Sequence, residues 1–221
     1  IGCYTLGVMP PLEGIDTCLC MGASIGHAAG IEKAGKTKEK VVSLIGDSTF
    51  LHSGIASLAS AVYNKANTTN IIVDNRITAM TGGQDHPGTS KTLMGEQTHA
   101  VDLPDLCRAL GVENVREVDP YDLEETYRVL EEEINREGPS VVITNRPCML
   151  FPKKIKDQPY TVDLAKCTAC GMCFKVGCPS ISASDEKTDK GRSKAEIDPV
   201  TCTGCTICAQ VCPADAIVPS K

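Results

Sequence analysis

Apolar residues in the first two thirds of the chain gather in short dense runs at 17–19, 41–45, 71–74, 115–118 and 141–144. Between the runs they recur at helical spacing. Short runs of aliphatic residues are what strands buried on both faces look like, and their alternation with helices predicts an α/β domain on a parallel sheet. Val41, Val42, Leu44 and Ile45 read as a central strand. Beyond it, Ile55, Leu58, Ala59 and Val62 mark one face of a helix that should end near Asn67. Asp102 is placed to cap a helix over 104–110 with Gly111 past its end, and Asp122 to start one reaching Glu137. The acidic triplet Glu131, Glu132, Glu133 in that last helix reads as a solvated face.

Around 146–160 the pattern breaks into "RPCMLFPKKIKDQPY", with prolines and lysines in place of periodic apolar residues. This predicts a first domain over 1–152, a linker over 153–160 and a small α+β domain over 161–221. The small domain holds two copies of one pattern, "DLAKCTACGMCFKVGCPS" and "IDPVTCTGCTICAQVCPA". An internal repeat of this kind implies internal two-fold symmetry.

Composition narrows the function. The formal charge of −6 argues against a nucleic-acid partner, which would need a basic stripe. No apolar run approaches the ~20 residues of a membrane span, so no membrane partner is expected. The chain opens on Ile1 rather than Met and reads as part of a longer protein. Of its 13 cysteines, eight crowd between Cys167 and Cys212 in a CxxC rhythm. That rhythm is metal-ligand spacing rather than a disulfide framework, and it implies a reducing, cytoplasmic setting. Cys18, Cys20, Cys107 and Cys148 are most simply core residues.

The first copy runs Cys167-x2-Cys170-x2-Cys173-x4-Cys178-Pro, the second Cys202-x2-Cys205-x2-Cys208-x3-Cys212-Pro. Three thiolates at this spacing wrap one corner of an iron–sulfur cube, and in two-cluster ferredoxins the fourth ligand comes from the other copy. Cys167, Cys170 and Cys173 therefore pair with Cys212, and Cys202, Cys205 and Cys208 with Cys178, around two 4Fe-4S clusters. Structural zinc is the competing reading, but it takes its four ligands as two CxxC pairs. The x4 interval lengthens one loop by a residue, with a consequence for that cluster's potential.

The strand over 41–45 stops on Gly46-Asp47-Ser48, and the next strand stops before Asn75. Parallel sheets bind ligands at the carboxyl ends of their strands. The side-chain oxygens of Asp47 and Asn75, with the Ile77 carbonyl, would form an oxygen cage suited to Mg²⁺, which keeps sites for phosphate oxygens. The helix after Gly46 would aim its first amides at that phosphate. A strand-end turn is the plain alternative.

Gly46-Asp47 followed by Asp74-Asn75 resembles the thiamine diphosphate motif, with Ser48 and Asp74 in place of a Gly and an Asn. "TAMTGGQ" resembles the 2-oxoacid:ferredoxin oxidoreductases, and "IGCYTLG", "CMGASIG" and "GDSTFLHSG" resemble the alpha-subunit family of indolepyruvate ferredoxin oxidoreductases. The resemblance implies that Asp47, Asn75 and Ile77 bind Mg²⁺, that Gly46, Ser48 and Thr49 contact the diphosphate, and that Gly22, Ala23 and Ser24 lie beside the cofactor. It makes Cys3 a candidate catalytic residue and Met80 a determinant of an aromatic substrate pocket, while His52, following the diphosphate loop, is a further catalytic candidate and His86, in the Gly-rich loop "GGQDHPGT", a contact. A helix-capping histidine and a buried free thiol are the plain readings of His52 and Cys3.

What the resemblance implies in function is oxidative decarboxylation of an arylpyruvate such as indolepyruvate, with coenzyme A taking the acyl group. Electrons would leave through the clusters to an external ferredoxin, and a beta subunit would complete the enzyme. The Glu that activates the cofactor belongs to a pyrimidine-binding domain not seen in this sequence, so it is expected upstream and this chain alone should not turn over. A nonoxidative thiamine decarboxylase would have no use for eight cluster cysteines. An electron carrier with a degenerate thiamine fold would bind no cofactor.

Overall fold

The computed structural model describes residues 2–35, 38–150 and 157–220, so 153–156 of the expected linker lie outside the described residues. Two compact units emerge: Ile1–Thr5 with Thr17–Phe151, and Leu6–Asp16 with Pro152–Lys221.

In the first unit, α1 (Ser24–Lys33) precedes β1 (Val41–Gly46). A single helical turn, α2 (Asp47–Thr49), opens directly on the strand end and continues through a π-helical turn at Phe50–Gly54 into α3 (Ile55–Tyr63). Then come β2 (Thr68–Asp74), α4 (Leu103–Ala109), β3 (Asn114–Val118), α5 (Leu123–Asn135) and β4 (Ser140–Asn145). The four strands are all parallel, in the order β1-β2-β4-β3, which is the expected α/β architecture. Asp102 and Asp122 cap α4 and α5 as expected, each accepting from the amide three residues on.

The apolar core joins Ile25 of α1, Ile45 of β1, Phe50, Leu58 of α3, Ile72 of β2 and Ile143 of β4, all at 0–1% exposure. Burying each contributes on the order of 1.5–3 kcal/mol against leaving it exposed. Toward the amino ends of the strands, buried polar side chains satisfy one another. Ser43 Oγ donates to Asn70 Oδ1 (2.8 Å), Asn70 Nδ2 to the Ser140 carbonyl (3.1 Å) and Thr69 Oγ1 to the Glu133 carbonyl (2.9 Å).

Five expectations need correction. Residues 17–19 form no strand; they are exposed, because a three-residue run with one large aliphatic side chain has too little to bury. Consequently β1 is an edge strand, and its Val42 is 40% exposed. Cys18 and Cys20 are exposed rather than core. Helix α3 stops at Tyr63, where Asn64 Nδ2 turns back to the Ser60 carbonyl (2.8 Å) and Lys65 adopts a left-handed φ of 50°. Glu133 is fully buried, since it lies one turn beyond Val129 on the core face of α5. Its carboxylate is met by Arg136 Nε at 3.0 Å and Arg116 Nη1 at 3.7 Å.

In the second unit, β5 (Tyr160–Val162) pairs antiparallel with β8 (Ile217–Pro219), and β6 (Ile181–Lys187) with β7 (Ser193–Ile197); α6 (Ile207–Gln210) precedes β8. The sequence repeat is a backbone repeat. Ala169 and Gly204 occupy equivalent places and have φ of 52° and 75°, and Gly171 and Thr206 have φ of 79° and 65°. Half of the buried hydrophobic cluster is cysteine: Cys173, Cys202 and Cys208 beside Ala195, Ile197 and Ile217. So small an apolar core is insufficient for a unit of this size, and small domains add a metal or similar staple.

Candidate cofactor and cluster sites

The first site is assembled where β1 and β2 end. Gly46 leaves the sheet extended and Asp47 starts the helix, with its carboxylate 3% exposed. Oδ1 accepts the Ser48 amide (2.7 Å), and Oδ2 accepts the Arg76 amide (2.9 Å) from the loop after β2. The same Arg76 amide reaches Asp74 Oδ1 (3.1 Å), and Arg76 Nε lies 2.9 Å from Asp74 Oδ2. Asn75 Oδ1 accepts the Ile77 amide (3.2 Å), curling 75–77 into an Asx turn, and Thr78 Oγ1 donates to Ser48 Oγ (2.7 Å). Arg76 holds a left-handed φ of 61°, a strain on the order of 1–2 kcal/mol that this hydrogen-bonding sustains.

Burial works to raise the Asp47 carboxyl, but the His86 and Ser48 contacts outweigh it and hold it below the usual carboxylate range. Asp74 goes the other way. Burial, then its contact with Asp47, push it up to about 6 against the pull of Arg76.

Gly22 has φ 84°, and a Cβ there would lie 2.0 Å from Ser53 Oγ, so only glycine lets 22–24 press against the helix that follows Gly46. Beside it, Ser24 Oγ is buried without a hydrogen-bond partner, an unsatisfied donor in a segment expected to meet a cofactor. Thr49 is buried. The other candidates are exposed: His52 and Cys3 lie at the surface, and Met80 is 56% exposed.

Three contributors were missed or underweighted by sequence reasoning. Tyr4 Oη accepts the Gly46 amide (3.2 Å), and burial raises the Tyr4 hydroxyl above its ordinary pKa; no spacing signals this contact. Thr78 reaches Ser48 from a loop whose path is tertiary. His86, from the Gly-rich loop, is buried with Nε2 3.1 Å from Asp47 Oδ2.

In the second unit the eight repeat cysteines line two cavities. One, of about 20 Å³, is bounded by Cys167, Cys170, Cys173 and Cys212 with Val162, Phe174 and Ile217. The other, of about 110 Å³, is bounded by Cys178, Cys202, Cys205 and Cys208 with Tyr160, Thr203 and Thr206. Backbone amides reach two of the sulfurs, Tyr160 to Cys202 and Ala216 to Cys212, each at 3.4 Å. Among the described residues no three His, Cys, Asp or Glu side chains converge closely enough to hold one metal ion. The thiols surround volumes, not points.

A parallel α/β unit with a polar strand-end site, followed in sequence by a thiol-lined two-fold module, defines a cofactor-binding domain joined to a ferredoxin-like domain. Residues 1–144 match the model of the thiamine pyrophosphate enzyme, C-terminal TPP binding domain, and the chain belongs to that family. Residues 166–216 match the 4Fe-4S dicluster domain. The chain is 43% identical to indolepyruvate oxidoreductase subunit IorA of Pyrococcus horikoshii over 98% of its length and 35% of that protein's. It is 44% identical to the subunit of the same name from Methanothermobacter marburgensis, over 99% of this chain and 34% of that one. The chain thus spans about a third of the length of the curated relatives it matches. Among solved structures, the 2-oxoglutarate:ferredoxin oxidoreductase from Magnetococcus marinus superposes with a TM-score of 0.54 at 18% identity, over 61% of this chain and 48% of that one, a likeness of fold.

Proposed function

We propose that this chain is the cofactor- and cluster-bearing part of a thiamine diphosphate-dependent 2-oxoacid:ferredoxin oxidoreductase, acting on an arylpyruvate such as indolepyruvate. The observation that carries the reading is the joining in one chain of the Asp47 site and the two four-cysteine cavities.

The residues present fit the cofactor. Asp47 supplies a buried anionic oxygen, Asn75 and the Ile77 carbonyl supply neutral ones, and together they suit Mg²⁺. Gly46, Ser48 and Thr49 would hold the diphosphate at the start of a helix, and the partnerless Ser24 hydroxyl has a donor to give. When bound, thiamine diphosphate supplies an electron sink for carbon–carbon cleavage next to a carbonyl. The chain's own part is to bind and orient it and to take up the electrons. Cys167, Cys170, Cys173 and Cys212 would hold one 4Fe-4S cluster, and Cys202, Cys205, Cys208 and Cys178 the other. Two pockets each ringed by four cysteines, in the CxxCxxC…CP spacing, favour this over zinc. Ferredoxin, coenzyme A and a beta subunit are the partners this reading calls for, in a reducing cytoplasm.

His52, Cys3 and Met80 are retained as contacts to be made with substrate or with the rest of the protein. Met80→Asn should shift preference from indolepyruvate toward pyruvate. The test of the whole reading is anaerobic dye reduction by the full-length subunit with its partner, given indolepyruvate or pyruvate and coenzyme A. Faster reduction with indolepyruvate, dependent on thiamine diphosphate and Mg²⁺, supports the reading. Faster reduction with pyruvate discards the aryl substrate, and no reduction by any 2-oxoacid with both clusters intact discards the enzyme.

A further inference from the structure

Asp47 does more than end a strand: its carboxylate is the point at which three segments meet. Ser48 brings the helix start, Arg76 the loop after β2, and His86 the Gly-rich loop. Of these three, only His86 does so with a side chain, and the Asp74 carboxylate also lies against Asp47. The imidazole side chain is 5% exposed, and its Nδ1 accepts the Gly88 amide (3.2 Å). That bond leaves the ring proton on Nε2, which faces Asp47 Oδ2 at 3.1 Å. In this geometry Nε2 makes no full hydrogen bond, and Asp47 Oδ2 is the acceptor beside it. The loop around the imidazole is built to hold it. Thr89 Oγ1 donates to the His86 carbonyl (2.9 Å) and accepts its amide (3.2 Å), and a Cβ on Gly88 would lie 3.0 Å from the ring.

The two carboxylate oxygens are thereby made unequal. Oδ2 is engaged by Arg76 and His86, whereas Oδ1 takes one amide and keeps acceptor capacity. A hard cation needs a carboxylate fixed in one orientation, and groups that fix a ligand commonly matter by 10–100-fold in metal affinity. We propose that His86 is a positioning residue: its Nε2–H fixes the Asp47 carboxylate through Oδ2, leaving Oδ1 to the cation, and so links the 84–89 loop to cofactor occupancy. The inference rests on Asp47 being a Mg²⁺ ligand, as set out under the proposed function.

The test uses the full-length subunit with its partner, reconstituted with clusters. Equilibrium dialysis measures thiamine diphosphate uptake across a Mg²⁺ titration for wild type, His86→Leu and His86→Gln; the glutamine amide restores an N–H near the Nε2 position. Hydrogen exchange of 84–89 is followed with and without cofactor and Mg²⁺. Removal of the donor in His86→Leu should raise the Mg²⁺ needed for half-saturation by about 10–100-fold. His86→Gln should recover most of that. Cofactor should slow exchange in the 84–89 loop in wild type and His86→Gln but not in His86→Leu. Unchanged far-ultraviolet circular dichroism and an unchanged thermal midpoint in all three show that the α/β unit folds, and unchanged iron content shows that the cluster unit does. Wild-type Mg²⁺ dependence in His86→Leu overturns the proposal, as does a His86→Gln as weak as His86→Leu, since packing rather than the N–H would then matter. A wild-type protein that takes up no thiamine diphosphate sinks the cofactor reading itself, and this proposal with it.

Discussion

Paired cysteine deletions discriminate between the two ways of closing the clusters. In the structure Cys212 shares a cavity with Cys167, Cys170 and Cys173, although Cys178 is their neighbour in sequence; Cys178 lines the cavity of the second triplet. Under this crossed arrangement, the double variant Cys167→Ala/Cys212→Ala damages one cavity twice and leaves the other whole, so about half the iron, on the order of four atoms, should remain. Cys167→Ala/Cys178→Ala damages both cavities, and iron should fall toward zero after anaerobic purification. Sequential closure inverts the two results. Iron analysis with electron paramagnetic resonance of the reduced protein reads the outcome, and the Cys167→Ala, Cys178→Ala and Cys212→Ala single variants show how much cluster survives one lost thiolate. Retention of half the iron by Cys167→Ala/Cys178→Ala, with loss of both clusters in Cys167→Ala/Cys212→Ala, would refute the crossed assignment.

Asp47→Asn removes the only anionic ligand of the suggested cage and should abolish Mg²⁺-dependent thiamine diphosphate uptake while leaving both clusters in place; dialysis and iron analysis check both halves. Gly204→Ala should destabilise the cluster unit, because a Cβ there meets the Gln158 carbonyl oxygen at 2.6 Å on a residue with φ 75°. Thr206→Gly, at φ 65°, should by contrast leave the thermal midpoint nearly unchanged, since relief of ~1–2 kcal/mol of left-handed strain is offset by ~0.5–1 kcal/mol of added chain entropy and the lost Gln210 Nε2–Thr206 Oγ1 hydrogen bond. In denaturant titrations Arg136→Ala should cost ~2 kcal/mol, reduced from the full buried-pair value because Arg136 is 42% exposed and Arg116 remains near Glu133, whereas Glu133→Leu should be close to neutral. Burial first, with the Asp102 charge adding and Arg108 opposing, pushes the Cys107 thiol up to about 12, so at pH 8 roughly one part in ten thousand is thiolate. Iodoacetamide should therefore label exposed Cys3, Cys18 and Cys20 in the native protein and Cys107 only on unfolding, as peptide mass spectrometry will show.

The parts of the molecule visible in its sequence share one property: their determinants lie within a few residues of each other. Four strands and the caps at Asp102 and Asp122 are specified by local patterns of burial and by an acceptor three residues from its donor. The cysteine triplets behave likewise, and the proposed crossed fourth ligand is read from the repeat together with the two-cluster ferredoxin pattern. Glu133, Tyr4 and His86 follow another rule. Glu133 sits among charged neighbours on an amphipathic helix, and its burial depends on Arg116 and Arg136 being within reach. Tyr4 and His86 act on residues more than thirty positions away. A side chain that serves another residue's orientation is not constrained to any spacing from it.

That difference bears on how each unit couples stability to chemistry. In the cluster unit the thiols proposed as ligands make up half of the buried cluster, so on that reading function and folding depend on the same residues and metal loss should cost both. In the α/β unit the two are separated along the strands. The buried polar network involving Ser43, Asn70 and Ser140 lies toward their amino ends, and the Asp47 site at their carboxyl ends. The parallel register joins them: Ser43 opposes Asn70, and Gly46 opposes Val73. A slip of one residue would unpair the buried network, and by the same step it would carry Asp47 away from the Arg76 amide. The polar network thus discriminates against the wrong register more than it adds stability, and the geometry at Asp47 depends on hydrogen bonds one strand length away.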